Sequence, residues 1–178
     1  MATLRIPDKN VLLADEQAIR LFLDEHGILY QRWSTEAALP SDATDTQVLA
    51  AYDQWLKPFM QKNGYQTADV IRVTPQTPNL PAIREKFLRE HTHSEDEIRF
   101  FVQGQGIFWF HKDREADEVF ALVCERGDMI SVPAHTKHWF DLGDHPSVCA
   151  IRIFTDQAGW VPQYTESGIE QRYLHVAR

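Results

Sequence analysis

Four side chains of this sequence have the types and the spacing of a metal site. His91, His93 and Glu97 lie close together, and His138 follows a proline turn further along the chain. Three imidazoles and one carboxylate form a mixed nitrogen and oxygen ligand set, which suits Fe(II), Ni(II), Mn(II) or Zn(II). Four protein ligands leave an octahedral ion two vacant positions, which is enough for a bidentate substrate. We therefore expect a metalloenzyme.

The parity of the first ligand segment supports this interpretation. Side chains alternate across a strand, so residues of one parity face the same side. His91, His93, Glu97 and Arg99 are all odd-numbered, and one extended segment can direct all four into one interior. A bulge or turn between His93 and Glu97 would break the parity. The alternative interpretation is that these side chains are exposed or are hydrogen-bonded polar residues of the core.

Composition is typical of a soluble globular protein and excludes several classes of partner. Hydrophobic residues make up 43% and charged residues 25% of the 178 residues, a length that suits one well-buried core. The formal net charge is -8 without a basic cluster, so we do not expect a nucleic-acid partner. No apolar run suits a membrane span or a signal peptide, and this favours a cytoplasmic protein. We also expect the protein to be a monomer. Cys124 and Cys149 are expected to be buried free thiols, although a disulfide is geometrically possible if their strands are neighbours.

The helices are predicted in the first half of the chain. Apolar residues at helical spacing indicate helices at 15–26, 42–63 and 82–89, and the second of them contains Pro58, a residue that kinks helices. Two strands are expected at 28–33 and 68–74. The last helix leads the chain directly to His91.

From residue 98 onward the pattern changes to short strands separated by turns. Strands are predicted at 98–103, 106–111, 118–124, 128–132, 138–142 and 148–154, with a turn around Gly104. Short strands at this spacing indicate an antiparallel barrel or sandwich. The expected fold class is thus mainly β with flanking helices.

The two ligand segments match the two-part motif of the cupin superfamily, G-x5-H-x-H-x3-E-x6-G and G-x5-P-x-G-x2-H-x3-N. Gly104 closes the first part, and Gly127, Pro133 and His138 belong to the second. The resemblance implies a cupin-type antiparallel β-barrel, also described as a double-stranded β-helix or jelly roll. We expect one domain at 1–178, with helices and outer strands at 1–90, the metal-binding barrel core at 91–155 and a C-terminal segment at 156–178.

Three positions depart from that motif. Glu85 and His135 replace glycines, which concerns turn geometry rather than ligation, and Leu142 replaces the final asparagine. His135 is close enough to His138 to compete with it as a ligand. We favour His138, because it opens a strand and shares parity with Phe140, whereas His135 lies in the turn and is expected to face solvent or to support the site indirectly.

Over nearly its whole length the sequence resembles one cupin family, the acireductone dioxygenases of methionine salvage. Three blocks show the resemblance: EKFLREHTHSEDEIRFF at 85–101, VPAHTKHWFD at 132–141, and AIRIF at 150–154 followed by Gly159 and Trp160. It implies one Fe(II) or Ni(II) ion per chain, held by His91, His93, Glu97 and His138. It also implies that O2 oxidises 1,2-dihydroxy-3-keto-5-(methylthio)pentene. With Fe(II) the implied products are 2-keto-4-methylthiobutyrate and formate, and with Ni(II) they are methylthiopropionate, formate and carbon monoxide.

Charged residues near the ligands are candidates for handling this substrate. With a divalent ion and Glu97, a substrate dianion leaves one net negative charge, which an inward-facing Arg99 would neutralise. The alternative for Arg99 is an ion pair with Glu95, Asp96 or another carboxylate. Arg152 is a weaker candidate for the same role, with a salt bridge at the barrel mouth as its alternative. Glu95 or Asp96 is a candidate base for the substrate proton, and solvated surface charge is the alternative for both.

Aromatic residues would shape the rest of the substrate site. The resemblance implies that Phe87, Phe140 and Trp160 form an apolar wall for the methylthio tail, whereas plain core packing is the alternative. Other functions remain open at this point. They are a different three-His-one-Glu cupin dioxygenase or isomerase, and a non-enzymatic metal-bound cupin sensor or ligand-binding module.

Overall fold

The computed structural model describes residues 1–34, 39, 40, 42–113, 118–155 and 160–174. Its strands are β1 (Thr3–Ile6), β2 (Val11–Leu13), β3 (Leu29–Arg32), β4 (Thr67–Val73), β5 (His91–Thr92), β6 (Glu97–Lys112), β7 (Glu118–Glu125), β8 (Asp128–Val132), β9 (His138–Asp141), β10 (Val148–Phe154) and β11 (Gln163–Tyr164). Its helices are α1 (Glu16–Glu25), α2 (Asp45–Ala51), α3 (Asp53–Asn63) and α4 (Leu80–Leu88), with short 3-10 helices at Pro7–Lys9 and Ile169–Arg172. Gly159, part of the third block of resemblance, lies outside the described residues.

The long strand β6 belongs to two antiparallel sheets at once. One sheet has the order β11-β5-β9-β6-β7-β1-β2, and the other has the order β4-β10-β6-β8-β3. The first half of β6 pairs with β8 and β10, and its second half pairs with β7 and β9. The predicted class, a mainly antiparallel β fold with flanking helices, is confirmed.

Buried side chains from both sheets meet in one core, which places the sheets face to face. The first sheet contributes Phe108, Phe110, Phe120, Leu122 and Phe140, and the second contributes Phe101, Ile130, Val132 and Ala150. The outer face of the second sheet is covered by α2 and α3, and that of the first by residues of the C-terminal segment. Because both faces are covered, β6 is buried along most of its length, and its sequence contains two apolar runs, at 100–102 and 107–110.

The predicted turn at Gly104 is wrong, because β6 continues through it. Gly104 has a φ of +70°, and a Cβ atom there would lie 1.8 Å from the carbonyl oxygen of Ser147. A Cβ atom on Gly106 would lie 2.2 Å from Cζ of Phe140. These glycines therefore allow neighbouring chain segments to approach β6 closely, a role that glycine often has inside strands.

A bulge in this region explains how one strand serves two sheets. The register between β6 and β10 shifts between Cys149 and Ala150, which leaves one extra residue in β6. Before the bulge the odd-numbered Phe101 faces the core between the sheets, and after it the even-numbered Phe108 does so. The two halves of β6 therefore both contribute to the same interior.

The helices follow the predicted positions with one correction. The side chain of Asp15 caps α1 by accepting a hydrogen bond from the Ala18 backbone N–H at 2.9 Å. The single helix predicted at 42–63 is wrong, because Tyr52, with φ -108° and ψ 9°, separates α2 from α3. The Tyr52 ring packs edge-on against Phe100 at 4.6 Å, so tertiary packing accompanies the break. Helix α3 continues through Pro58.

The cysteines and the helix lengths concern the chain as a whole. Cys124 and Cys149 are both buried and free, as expected. Within the described part of the chain, every helix falls short of the length and hydrophobicity needed to cross a membrane.

Candidate metal centre

Short strands place the first and last predicted ligands side by side. Strand β5 pairs with β11 on one side and with β9 on the other, and His91 is directly opposite His138 in this pairing. The two imidazole centroids are 4.6 Å apart as a result.

The other two ligands follow where the chain leaves β5 and enters β6. The extended segment expected from parity is interrupted by a bend after His93, and Glu97 opens β6 opposite Val132. The carbonyl of His93 accepts a hydrogen bond from the backbone N–H of His135 at 2.8 Å, which fixes the bend to the turn before β9. One potential ligand atom from each of His91, His93, Glu97 and His138 lies within 4.8 Å of all the others, and all four residues are buried.

Hydrogen bonds define which ring nitrogen of His91 and of His138 is available to bind a metal ion. Nδ1 of His91 lies 2.7 Å from the Arg89 carbonyl, and Nδ1 of His138 lies 2.7 Å from the Thr136 carbonyl. A carbonyl only accepts hydrogen bonds, so each Nδ1 carries the proton and each Nε2 has a free lone pair. Burial, with a further contribution from nearby His138, lowers the pKa of His91 to about 4. His91 is therefore neutral at neutral pH, as a metal ligand must be.

The carboxylate of Glu97 stands at the centre of the group. Its Oε2 lies 2.9 Å from Nε2 of His138 and 3.2 Å from Nε2 of His93, and its Oε1 lies 3.0 Å from Nη2 of Arg99. Burial alone would raise the pKa of Glu97, but the adjacent Arg99 guanidinium holds that pKa well below its usual range. Glu97 is thus an anion, with one oxygen toward the histidines and the other toward the arginine.

Arg99 is a buried cation with unused hydrogen-bond donors. Its exposed fraction is 5%, and its Nε and Nη1 atoms have no hydrogen-bond partner among the described residues. The guanidinium carbon lies 4.6 Å from the ring centroid of Phe140 and 5.8 Å from that of Phe87, distances at which an aromatic face attracts a cation. An anion entering the cavity would find these two donors available.

A small cavity of about 150 Å3 brings the ligands, Arg99 and the predicted aromatic wall together. Phe87 of α4, Phe140 of β9 and Trp160 all line it, as do Lys86 and Pro162, which the sequence did not single out. Nothing in the local sequence marks the last two, because α4 and the segment before β11 bring them to the cavity.

Two predicted catalytic residues have positions that favour their structural alternatives. Arg152 lines the cavity, but it makes two hydrogen bonds to Asp69, with Nε–Oδ1 at 2.8 Å and Nη2–Oδ2 at 2.5 Å. Glu95 is half-buried and is not among the described residues that line the cavity. Asp96 accepts hydrogen bonds from the Ala134 backbone N–H at 2.9 Å and from the Tyr65 hydroxyl at 3.1 Å. Catalytic roles for Arg152 and Glu95 stay predictions.

The competition between His135 and His138 is decided by backbone conformation. His135 is exposed and has a φ of +63°, the left-handed conformation that the glycine of the cupin motif supplies at this position. Its side chain is not part of the ligand group, whereas that of His138 is.

The four donor groups fit a divalent transition-metal ion. They combine imidazole and carboxylate ligands, they are buried, and at least two imidazoles are fixed in the tautomer that presents Nε2. The unpartnered Nε and Nη1 atoms of Arg99 lie beside this donor group.

Comparisons with known proteins agree with this site and this fold. Residues 13–162 match the model of the ARD/ARD' family. The chain is 54% identical to an acireductone dioxygenase of Picosynechococcus over 99% of both chains, and 48% identical to one of Parvibaculum lavamentivorans over 89% of this chain and 85% of that one. An acireductone dioxygenase from Bacillus anthracis, solved with a cadmium ion in its active centre, superposes with a TM-score of 0.82 at 36% identity, over 92% of this chain and 98% of that one. The cupin-type barrel is thereby confirmed, and this chain belongs to the acireductone dioxygenase family.

Proposed function

We propose that this protein is a metal-dependent dioxygenase that cleaves 1,2-dihydroxy-3-keto-5-(methylthio)pentene, an acireductone, with O2. One observation supports this most strongly. The cavity that contains the three-histidine, one-carboxylate group also contains a buried arginine with two unpartnered donors. That combination suits a small enediol, which becomes an anion when it reacts.

The ligand group and Arg99 together balance the charge of this substrate. A bound divalent cation would stabilise the deprotonated form of an enediol oxygen next to it, as such ions do for water. The charges of the ion and Glu97 sum to one positive unit, so a substrate dianion leaves one negative unit. Arg99, which is buried and adjacent to Glu97, supplies the compensating positive charge.

Arg99 also orients the substrate. Its Nη2 is held by Oε1 of Glu97 at 3.0 Å, while Nε and Nη1 remain available to donate hydrogen bonds to substrate oxygens. Because the guanidinium is planar, fixing one nitrogen fixes the direction of the other donors. Arg99 therefore holds the electron-rich enediolate in one orientation for attack by O2.

The aromatic residues account for the uncharged part of the substrate. Phe87 and Phe140 meet edge to face with their centroids 6.2 Å apart, and Trp160 lies 6.1 Å from the His93 ring. A methylthio tail packed against such rings excludes water from the cavity and strengthens the charge interactions inside it.

The metal determines the products of the proposed reaction. With Fe(II) we expect 2-keto-4-methylthiobutyrate and formate, and with Ni(II) methylthiopropionate, formate and carbon monoxide. Imidazole and carboxylate ligands accept both ions, so one protein supports both outcomes. We further propose that the enzyme works as a monomer in the cytoplasm.

The test is an anaerobic mixing experiment. Metal-free protein is loaded with Fe(II) or Ni(II), the acireductone is added without oxygen, and O2 is then admitted. We expect the near-ultraviolet absorbance of the substrate to disappear with either metal, and carbon monoxide to form only with Ni(II). Metal-free protein and the variant His138→Ala serve as controls. With either of them, the absorbance should decrease only as fast as it does without protein.

Fully metallated protein that leaves the substrate unchanged would contradict the proposal. Profiling the Fe(II) form against other small enols and thiols would then distinguish a cupin enzyme of different specificity from a non-enzymatic binding module.

A further inference from the structure

A buried carboxylate, hydrogen-bonded to a buried imidazole, lies directly before the first metal ligand in the chain. Glu90 precedes His91, has an exposed fraction of 2%, and accepts a hydrogen bond from Nδ1 of His111 at 2.6 Å. His111 is also buried, at 7% exposure. Burying a carboxylate costs several kcal/mol unless its partners compensate, so such a group calls for a specific reason.

The rest of the Glu90 carboxylate is fully used. Its Oε1 accepts hydrogen bonds from the Thr165 hydroxyl at 2.5 Å and the Ser167 hydroxyl at 2.7 Å. The Glu90 carbonyl accepts another from the backbone N–H of Thr165 at 3.1 Å. These contacts fix the segment that contains His91 to the chain that follows β11.

His111 makes the corresponding connection to the other side of the metal centre. Its backbone N–H donates to the carbonyl of Lys137 at 3.0 Å, and Lys137 directly precedes His138. Its Nε2 lies 3.1 Å from Oδ1 of Asp113, and the Lys137 ammonium also pairs with Asp113. His111 thus contacts the residue before each of two metal ligands.

The two connected tripeptides are built alike. In residues 89–91 the carbonyl of the first residue, Arg89, accepts from Nδ1 of the histidine, and in residues 136–138 the carbonyl of Thr136 does the same, both at 2.7 Å. In both tripeptides the middle residue contacts His111. A displacement of either middle residue would move the carbonyl before it and rotate the imidazole after it.

We propose that Glu90 and His111 are positioning residues that fix His91 and His138 relative to each other, and thereby set the geometry and affinity of the metal centre. The inference rests on the metal site of the proposed function, but not on the identity of the substrate. Neither residue lines the cavity among the described residues, so both act through the ligands that they support.

A second carboxylate–imidazole pair in this protein provides a matched control. Nε2 of His26 lies 3.1 Å from Oε2 of Glu118, and the His26 side chain is only 7% exposed. This pair joins the end of α1 to β7 and has no contact with a metal ligand among the described residues. The other carboxylate oxygen of Glu118 pairs with the Lys9 ammonium, so a variant of Glu118 reports what the loss of buried and surface contacts remote from the metal does to stability alone.

The experiment measures metal affinity without substrate. Metal-free wild-type protein, Glu90→Gln, His111→Gln, the double variant and Glu118→Gln are titrated with Co(II) in competition with a chelator, and the ligand-field spectrum of each Co(II) form is recorded. Changes in residues that support metal ligands weaken binding by about 10-fold to 100-fold, and we expect the lower end for Glu90→Gln and His111→Gln, together with an altered spectrum. Glu118→Gln should lower the unfolding temperature and leave affinity and spectrum unchanged.

The double variant tests whether the two residues act as one unit. If they do, the Co(II) affinity of the double variant should equal that of whichever single variant binds Co(II) less tightly. Additive losses, or single variants with wild-type affinity and spectrum, would overturn the proposal. Should Glu90→Gln fail to fold, Thr165→Val removes one hydrogen bond to the same carboxylate, and we expect a smaller loss of affinity, with wild-type affinity again counting against the proposal. Tight metal binding without dioxygenase activity would reject the proposed substrate and leave this inference intact.

Discussion

Replacing Arg99 by alanine separates a substrate-binding role from a structural one. In the intact protein Arg99 keeps one donor on Glu97 and has two unpartnered donors, Nε and Nη1, beside the metal ligands. If these donors bind the enediolate, their removal weakens the reactive complex and spares the metal. If Arg99 only supports Glu97, the metal is lost instead.

The size of the effect follows from the two available donors. A hydrogen bond to a charged group contributes roughly 1.5–3 kcal/mol. We count the two donors of Arg99 together as about 3 kcal/mol, since they share one charge and one solvation cost, and this corresponds to a loss of roughly 150-fold in kcat/KM. Metal content should persist, because Glu97 retains both imidazole neighbours, His93 and His138.

Arg152 offers a comparison within the same cavity. Both of its hydrogen-bonding nitrogens already face Asp69, so we expect Arg152→Ala to reduce kcat/KM much less than Arg99→Ala. The assay is kcat/KM of the Fe(II) form at full loading, with metal per chain measured by elemental analysis. An Arg99→Ala protein with full metal and kcat/KM within about threefold of wild type would refute the reasoning, and so would an effect of Arg152→Ala as large as that of Arg99→Ala.

Three further predictions concern the ligands and the strand that supports them. His138→Ala should lose tightly bound metal, whereas His135→Ala should retain it, and elemental analysis showing the reverse pattern would overturn the assignment. In metal-free protein the pKa of His91 is lowered to about 4, so the unfolded chain takes up a proton at a higher pH than the folded one. The free energy of unfolding should therefore fall by up to about 3 kcal/mol as the pH drops from about 6.5 to 4. Urea unfolding at both pH values should show a smaller loss in His91→Gln, and an equal loss in that variant would contradict this prediction. Gly106→Ala would place Cβ against the Phe140 ring and should destabilise the fold by roughly 1–3 kcal/mol, and an unchanged urea midpoint would contradict the close approach.

The ligand set could be predicted because its information is local. Within β6 the alternation of side chains directs Glu97 and Arg99 to one face whatever the partner strands are, and the residue types define the ligand chemistry. The choice of His138 over His135 was also accessible, since a strand and a turn place their side chains differently.

The course of β6 could not be predicted, because it depends on distant residues. Gly104 resembles a turn residue in the sequence, and only the position of Ser147 shows that the glycine permits a close approach within a strand. The break at Tyr52 has a similar origin, since it accompanies packing against Phe100 from another element. Local patterns do not contain these contacts.

The contact between Glu90 and His111 is another feature that local sequence patterns do not predict, and it lies next to the metal centre. Each residue alone is an ordinary polar side chain, and the sequence contains no reason to connect them. Only the register of β6 with β9, in which Phe110 is opposite His138, brings His111 next to the second ligand segment. The sequence therefore predicts which atoms bind the metal but not what holds them in place.

In the proposed function Glu97 would connect the metal and the substrate through its two carboxylate oxygens. Oε2 faces His93 and His138, and Oε1 faces Arg99. Because a carboxylate is rigid and planar, the orientation that suits the metal also determines where the guanidinium lies, and hence where its two remaining donors point. A buried arginine beside an acidic ligand would be costly as a purely structural feature. Its presence here is explained if the metal and the substrate anion must be positioned relative to each other, and if Glu97 and Arg99 together define that relative position.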